Sequence, residues 1–244
     1  MRSSNPSLND KTFSRFRGIA SSGNAMTIGG SVNKTFILLV VLMGSAFYSW
    51  NEYFSGHMVQ HLLWIGVLGG LVMALITAFV PRISPFTAPA YALLEGLAIG
   101  ALSAIYESQF SGITLQAALL TISTLLAMLL LYKTGVIKVT RNFRIGVISA
   151  TMGIFFVYLI DIILRFFGMN IPFLHETGMM GILISLVIVG VAALNLVLDF
   201  DFIEAGARQQ VPKYMEWYAG FGLLVTLVWL YIEMLRLLSK IRRN

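Results

Sequence analysis

Five acidic residues lie within long apolar stretches of this 244-residue chain: Glu95, Asp161, Asp199, Asp201 and Glu233. An ionisable side chain at bilayer depth costs several kcal/mol unless it faces a partner or water, so each acid is a candidate for a functional role. Stacked in one helical bundle, these carboxylates would line a path for cations across the membrane.

Two of these acids have a basic residue nearby in sequence. Asp161 is followed by Arg165 at i+4, and Glu233 is followed by Arg236 at i+3. Both spacings place the two side chains on one helix face, which predicts local ion pairs as the alternative to a place in the cation path. Glu95 has no such neighbour. Two interpretations of it stay open: a carboxylate that serves the path, or a protonated acid that donates a hydrogen bond to another helix.

Asp199 and Asp201 are two residues apart at the end of an apolar segment, in the stretch 194–204. Residues two apart lie ~200° apart on a helix, so the two carboxylates cannot face the same interior. We expect one to point inward. Asp201, nearer the predicted helix end, is expected to be solvated.

The elements that must position these acids are seven apolar segments: 35–50, 61–80, 86–106, 114–132, 145–167, 178–200 and 217–238. Each is close to the ~20 residues that a helix needs to span a bilayer. The chain is 57% hydrophobic and 11% charged, with a mean hydropathy of +0.82. These features predict an all-α polytopic membrane protein, with a seven-transmembrane-helix bundle over residues 35–240.

Residues 1–34 are rich in Ser, Asn and Gly and lack an apolar core of signal-peptide length, which predicts a disordered basic cytoplasmic tail. The net charge of +6 is interpreted as a signal for membrane orientation and lipid contact, with no nucleic acid partner. The absence of cysteine excludes disulfides and thiolate metal sites.

The distribution of cations among the connections predicts a cytoplasmic N-terminus. The inner connections would then hold seven basic residues, Arg82, Lys133, Lys138, Arg141, Arg144, Arg208 and Lys213, while the outer connections hold Arg165 alone. The basic C-terminal residues 236–243 break this pattern, because seven crossings place them outside. The last segment therefore either crosses fully, which its length favours, or is re-entrant.

Two glycine pairs have the spacing that allows helix backbones to approach closely. Gly66 with Gly70, and Gly96 with Gly100, each lie on one face of a predicted helix. The second and third segments are therefore expected to make interior contacts.

The chain resembles the Bax inhibitor-1, or transmembrane Bax inhibitor motif, family in its bacterial branch. The resemblance rests on the seven-segment layout, on residues 81–100 (PRISPFTAPAYALLEGLAIG), on LDFDFI at 198–203 and on residues 223–236 of the last segment. In the last two motifs Asp199 matches the family aspartate of the sixth helix, while Thr226 occupies the place of the aspartate in the seventh, ten residues before Arg236.

The resemblance implies a bundle around a central C-terminal helix, in the bacterial inner membrane, acting as a pH-sensitive calcium leak channel. It also implies two facing aspartates, one from each of the last two helices, that share a proton, and an arginine near the start of the third helix, here Arg82, that latches the closed form. If the last two helices form a hairpin turning near Pro212, Thr226 lies level with Asp199. Since threonine cannot ionise, Glu95 is the candidate replacement acid.

Calcium takes oxygen ligands, so it is expected as a permeant ion, with Asp199 and Glu95 as its possible contacts and no cofactor. The motifs of metalloproteases, serine hydrolases and phosphate-binding loops are absent, which argues against an enzyme.

Two further functions stay open: a non-conducting regulator acting through protein partners that the sequence does not identify, or a proton-coupled carrier of small solutes. Protonation of the acids would lower cation flux, whereas release of an Asp199–Arg82 latch would raise it.

Overall fold

The computed structural model describes residues 24–169 and 178–243. This part of the chain contains seven helices that are long and apolar enough to cross a membrane, which confirms the predicted seven-helix membrane fold. They are α1 (Ile28–Phe54), α2 (Gln60–Phe79), α3 (Ser84–Gln109), α4 (Ile113–Lys133), α5 (Arg141–Phe166), α6 (Met179–Arg208) and α7 (Met215–Arg243).

The N-terminal helix starts earlier than the sequence indicated. α1 begins at Ile28 because Thr27 acts as its N-cap and accepts a hydrogen bond from the backbone N–H of Gly30 at 2.9 Å. Lys34, assigned above to the tail, therefore lies in α1, with its ammonium 4.9 Å from the ring centroid of Trp217. The helix thus begins seven residues before the predicted start of the membrane domain at residue 35. Residues 1–23 of that tail lie outside the described residues.

The last helix is continuous. α7 has 29 residues, which corresponds to ~43 Å of helix and exceeds the hydrocarbon thickness of a bilayer. It is also the most buried of the seven described spans, with 61% of its most apolar window buried, as expected for a central C-terminal helix. Its length supports a full crossing, and no re-entrant turn interrupts the helix between Met215 and Arg243.

The chain forms two compact units. Of the described residues, the first unit contains those up to residue 109 and residues 199–225, and the second contains those between 110 and 198 and from 226 onward. The first unit thus holds α1, α2, α3, the C-terminal end of α6 and the start of α7. The second holds α4, α5, most of α6 and the C-terminal half of α7.

Glycines allow α3 of the first unit to pack closely against two helices. A Cβ atom added to Gly66 of α2 would lie 2.6 Å from both the backbone nitrogen of Ala98 and the carbonyl oxygen of Leu94. On α3, a Cβ on Gly96 or Gly100 would collide with α1. The predicted glycine contacts are therefore confirmed, with one addition: the α3 pair packs on α1, while the α2 pair packs on α3. Such backbone approach stabilises helix packing in lipid, where burial of apolar surface contributes little.

The N-terminal segment before α1 is held by the connection between α6 and α7. The backbone N–H of Met26 donates to the carbonyl oxygen of Val211 at 2.7 Å, and that of Lys213 donates to the carbonyl oxygen of Asn24 at 2.9 Å. The side chain of Met26, 2% exposed, contacts Gly206 near the end of α6. This extended pairing fixes the start of α1 within the first unit.

Candidate functional site

Glu95 lies in the middle of α3, ~16 Å along the helix from Ser84. Its side chain is half-buried and points at Gly70 of α2, where an added Cβ would lie 2.8 Å from the Glu95 Oε2 atom. Gly70 thus provides the space that the carboxyl group occupies.

The surroundings of Glu95 offer no cation within the described residues. Glu95 interacts electrostatically with Tyr91, one turn earlier on α3, and it makes no hydrogen bond or ion pair with a described side chain. The Tyr91 ring packs edge-on against Phe221 of α7 at a centroid distance of 5.0 Å. The hydrogen bond that a structural, protonated Glu95 was expected to donate is not made to any described group. Its role in a cation path stays a prediction.

Asp199 is half-buried on α6 and its carboxyl group faces α7. The Oδ1 atom lies 4.0 Å from the position of a Cβ added to Gly222. As at Gly70, the carboxyl group lies opposite a helix position that has no side chain.

The prediction that the apolar helix ends at the two aspartates is wrong. α6 continues to Arg208, so Asp199 and Asp201 lie ~13 Å and ~10 Å before its end. Apolar packing continues past them, since Phe202 and Ile203 are buried at 8% and 6% exposure. Asp201 is half-buried, like Asp199, and is not the solvated end residue that was expected.

Arg82, the candidate latch, lies exposed on a 3₁₀ turn, Pro81–Ile83, just before α3. The neighbouring Ser84 hydroxyl donates to the backbone carbonyl of Tyr214 at 3.0 Å, which ties this turn to the connection between α6 and α7. Burial raises the pKa of the Tyr214 phenol, and the positive charge of Arg82 partly opposes that rise. Among the described residues Arg82 makes no ion pair with Asp199, so the latch implied by the resemblance is not formed in this structure.

The expected pairing of Glu95 with Asp199 is not formed either. Glu95 lies against α2 and Asp199 lies against α7, with no hydrogen bond from Glu95 to a described residue. Within the described ranges no three His, Cys, Asp or Glu side chains come together as a metal site. Calcium contact at these two acids therefore stays a prediction. The prediction that Thr226 lies level with Asp199 also stays a prediction. Thr226 belongs to the second unit and is buried, with 8% of its surface exposed.

In the second unit, the two predicted ion pairs are confirmed. The Nε atom of Arg165 donates to Asp161 Oδ2 at 3.0 Å, and a nitrogen of the Arg236 guanidinium donates to Glu233 Oε1 at 2.8 Å. Asp161 and Glu233 are 4% and 1% exposed. Each carboxylate is thus buried next to an arginine from its own helix.

Glu233 has a second donor from another helix. The Tyr158 hydroxyl of α5 donates to the same oxygen, Oε1, at 2.9 Å, and the Arg236 guanidinium lies 5.1 Å from the centroid of the Tyr158 ring. This cluster joins α5 to α7 through one carboxylate. It neutralises the charge locally and gives the buried acid a structural role.

The basic residues at the end of α7 contact the starts of two other helices. Lys240 donates to the carbonyl oxygen of Gly181 at 3.1 Å and to the Ser185 hydroxyl at 2.9 Å, both near the start of α6. Arg242 donates to the carbonyl oxygen of Ser111 at 2.7 Å and to Gln116 Oε1 at 2.8 Å, near the start of α4. Lys240 and Arg242 belong to the basic C-terminal residues that depart from the predicted distribution of cations, and both donate hydrogen bonds to other residues of the same chain.

Comparison with known proteins adds one finding. The family model described as Bax inhibitor 1 like matches residues 5–243. The chain belongs to the Bax inhibitor 1-like family. No curated protein and no solved structure matches it.

One buried acid of this Bax inhibitor 1-like protein was missed by sequence reasoning. Glu216, in the first turn of α7, is 1% exposed, and its Oε1 atom accepts hydrogen bonds from the backbone N–H and the hydroxyl of Thr27, both at 3.0 Å. Thr27 before an apolar run is a recognisable N-cap signal. Nothing in the sequence connects it to a residue 189 positions away. The donor from Tyr158 to Glu233 was missed for the same reason, because the two residues are 75 positions apart.

Proposed function

We propose that this Bax inhibitor 1-like protein is a calcium leak pathway of a bacterial inner membrane, with Glu95 and Asp199 as the carboxylates that attract the ion. The observation that carries the proposal is the position of Glu95. It is a half-buried carboxyl group at mid-helix depth, opposite a glycine, with no basic partner among the described residues. A membrane-depth acid of this kind is costly unless it meets water or an ion.

The ion pairs of the second unit narrow the set of acids that can attract a cation. Asp161 and Glu233 are each neutralised by an arginine, so we remove both from the path and retain them as structural groups. Asp199 stays in it because its carboxyl group faces Gly222, where no side chain occupies the space. One or two carboxylates bind calcium weakly, as a leak requires, whereas a full cage of oxygen ligands would retain it.

The direction of the pH dependence follows from this arrangement. Protonation of Glu95 or Asp199 removes the negative charge that attracts the cation, so flux is expected to fall as pH falls. A calcium flux that increases as pH falls would require an Asp199–Arg82 latch that opens when Asp199 is protonated. Arg82 lies beside Tyr214, which favours the first direction.

The test is calcium flux into liposomes that contain the purified full-length protein and an internal calcium dye, at about pH 6 and about pH 8. Glu95→Gln and Asp199→Asn are expected to lower the flux at the higher pH and to flatten its pH dependence. Glu107→Gln is the matched control, since it makes the same change near the end of α3, away from mid-helix depth. Its flux should equal that of the wild type.

Three outcomes would contradict the proposal. Wild-type protein that passes no calcium at either pH would favour the alternative, a regulator that acts through protein partners. Solute uptake driven by an imposed proton gradient, without calcium flux, would instead indicate a proton-coupled carrier. Unchanged flux in both acid variants would place the path elsewhere in the molecule.

The proposed orientation has the N-terminus in the cytoplasm. It is supported by the cations of the connections, including Lys133 and Arg141 at the two ends of the α4–α5 connection. The basic residues at the C-terminal end of α7 are compatible with this orientation, because Lys240 and Arg242 donate hydrogen bonds to other residues of the second unit. Cysteine labelling from each side of the membrane, with Ser55→Cys and Thr134→Cys in this cysteine-free chain, tests it. Labelling of Thr134→Cys from outside would reverse the assignment.

A further inference from the structure

An apolar groove lies between α5 and α6 in the second unit. Its volume is about 470 Å³, within the ~300–1,000 Å³ range of small-ligand sites. Ala150, Gly153 and Val157 of α5 line one wall, and Leu183, Val187 and Val191 of α6 line the other.

The groove has its depth because α5 carries a glycine there. A Cβ added to Gly153 would meet no atom within 4 Å. Val157, Leu183 and Val187 are exposed, so the groove opens to the surroundings of the helices, which are acyl chains at this depth of a membrane. A chain that fills the groove restores the dispersion contacts that an empty groove lacks.

Basic side chains lie beyond one end of this apolar groove. Tyr158 lines that end, and the Arg236 guanidinium lies over the Tyr158 ring at 5.1 Å, with 42% of the Arg236 side chain exposed. Arg165 follows ~10 Å further along α5, in its last turn, with 56% of its side chain exposed. Guanidinium groups bind phosphate oxygens through paired N–H donors.

We propose that this groove is a binding site for an anionic phospholipid, with one acyl chain between α5 and α6 and the phosphate at Arg165. The groove runs along the helices, and Arg165 lies ~10 Å beyond Tyr158 on the same face of α5, a layout that fits an acyl chain followed by its headgroup. The preference for this lipid comes from the headgroup, since an acyl chain gains little from burial when its alternative is the bilayer itself. One basic side chain near a headgroup corresponds to roughly fivefold enrichment of an anionic lipid.

The test is native mass spectrometry of the purified full-length protein after exchange into equal amounts of phosphatidylglycerol and phosphatidylcholine with the same acyl chains. The wild type is expected to retain phosphatidylglycerol about fivefold over phosphatidylcholine. Gly153→Leu fills the groove and should abolish this preference. Gly44→Leu is the matched control, because a Cβ at Gly44 of α1 also meets nothing within 4 Å.

A double variant tests the headgroup contact separately. Asp161→Asn with Arg165→Gln removes both members of the ion pair, so neither charge of that pair stays behind without the other. It should retain total lipid while losing the preference for phosphatidylglycerol. Equal retention of both lipids by the wild type, or a wild-type preference in Gly153→Leu, would overturn the proposal. A wild-type dimer that is dissociated by Gly153→Leu and not by Gly44→Leu would also overturn the proposal, since it would identify a second copy of the chain as the occupant of the groove.

Discussion

The two units contain buried acids that are neutralised in different ways. In the second unit, Glu233 is 1% exposed and meets Arg236 from its own helix. In the first unit, Glu216 is also 1% exposed, yet its partner is the N-terminus of α1, whose Thr27 donates two hydrogen bonds. An acid with an arginine one turn away is satisfied by local sequence, whereas one without it depends on a distant element.

Glu95 belongs to a third case, because it has neither kind of partner within the described part of the chain. It lies opposite Gly70 and makes no ion pair with a described residue. The contrast with Glu233 teaches that membrane-depth acidity alone does not indicate function. The informative feature is an acid whose charge is not balanced by its neighbours, and in this family member that feature is found in the first unit.

The largest expected effect is from removal of the arginine that balances a buried acid. Arg236→Gln leaves Glu233 with the Tyr158 hydroxyl as its remaining donor among the described residues. It should destabilise the protein by about 2 kcal/mol, below the value for a fully buried pair because Arg236 is 42% exposed. The midpoint of thermal unfolding in detergent should fall by about 4–8 °C.

The control for that experiment is Arg208→Gln, which breaks the exposed i,i+4 pair of Arg208 with Glu204 in the first unit. A surface pair of this kind contributes about 0–1 kcal/mol, so its midpoint should shift much less. Equal shifts in the two variants would show that the buried carboxylate does not depend on its arginine.

The next effect concerns the acid that meets a helix N-terminus. Glu216→Gln retains an oxygen that accepts from Thr27 but removes the negative charge near the positive end of α1. It should cost about 1 kcal/mol, measured by the same thermal midpoint. Glu52→Gln is the control, since Glu52, in the last turn of α1, pairs with the exposed His57 of the following connection. If both glutamate variants behave alike, the charge of Glu216 does not stabilise α1.

How far the sequence predicted these sites depends on the distance between partners. The seven helices and the pairs Asp161–Arg165 and Glu233–Arg236 follow from apolar length and i,i+3 or i,i+4 spacing, both local properties. The contact of Glu216 with Thr27 was not predictable, because it joins residues 189 positions apart.

Helix ends show the same limit. The early start of α1 depends on a cap that includes Glu216, and the continuation of α6 past Asp199 depends on the burial of Phe202 and Ile203. Apolar length locates a span, but its polar ends are set by partners from other helices. The acids predicted from the sequence therefore lie in the predicted helices, while several of their expected neighbours differ in the structure.

A smaller effect is expected at the C-terminal end of α7. Arg242→Gln removes two hydrogen bonds, to the carbonyl of Ser111 and to Gln116, at an exposed site, so it should cost about 0.5–1 kcal/mol. Hydrogen exchange at the start of α4 should increase, since that end of α7 contacts residues 111 and 116. Exchange in α1, which belongs to the first unit, should be unchanged. An increase limited to α1 would contradict the role of Arg242 at α4.

The smallest expected effect on stability is at Glu95. Glu95→Gln removes a carboxyl group that has no basic partner among the described residues, so no ion pair is lost, and the cost of placing an ionisable group at this depth disappears. The thermal midpoint should stay unchanged or rise by about 1–2 °C, while the calcium flux falls. That combination separates Glu95 from Glu233, because Glu233→Gln should lower the midpoint through its loss of charge pairing with Arg236. If Glu95→Gln instead destabilises the protein as strongly as Arg236→Gln, the carboxyl group of Glu95 is a structural element, and the contrast between the two units does not mark a functional site.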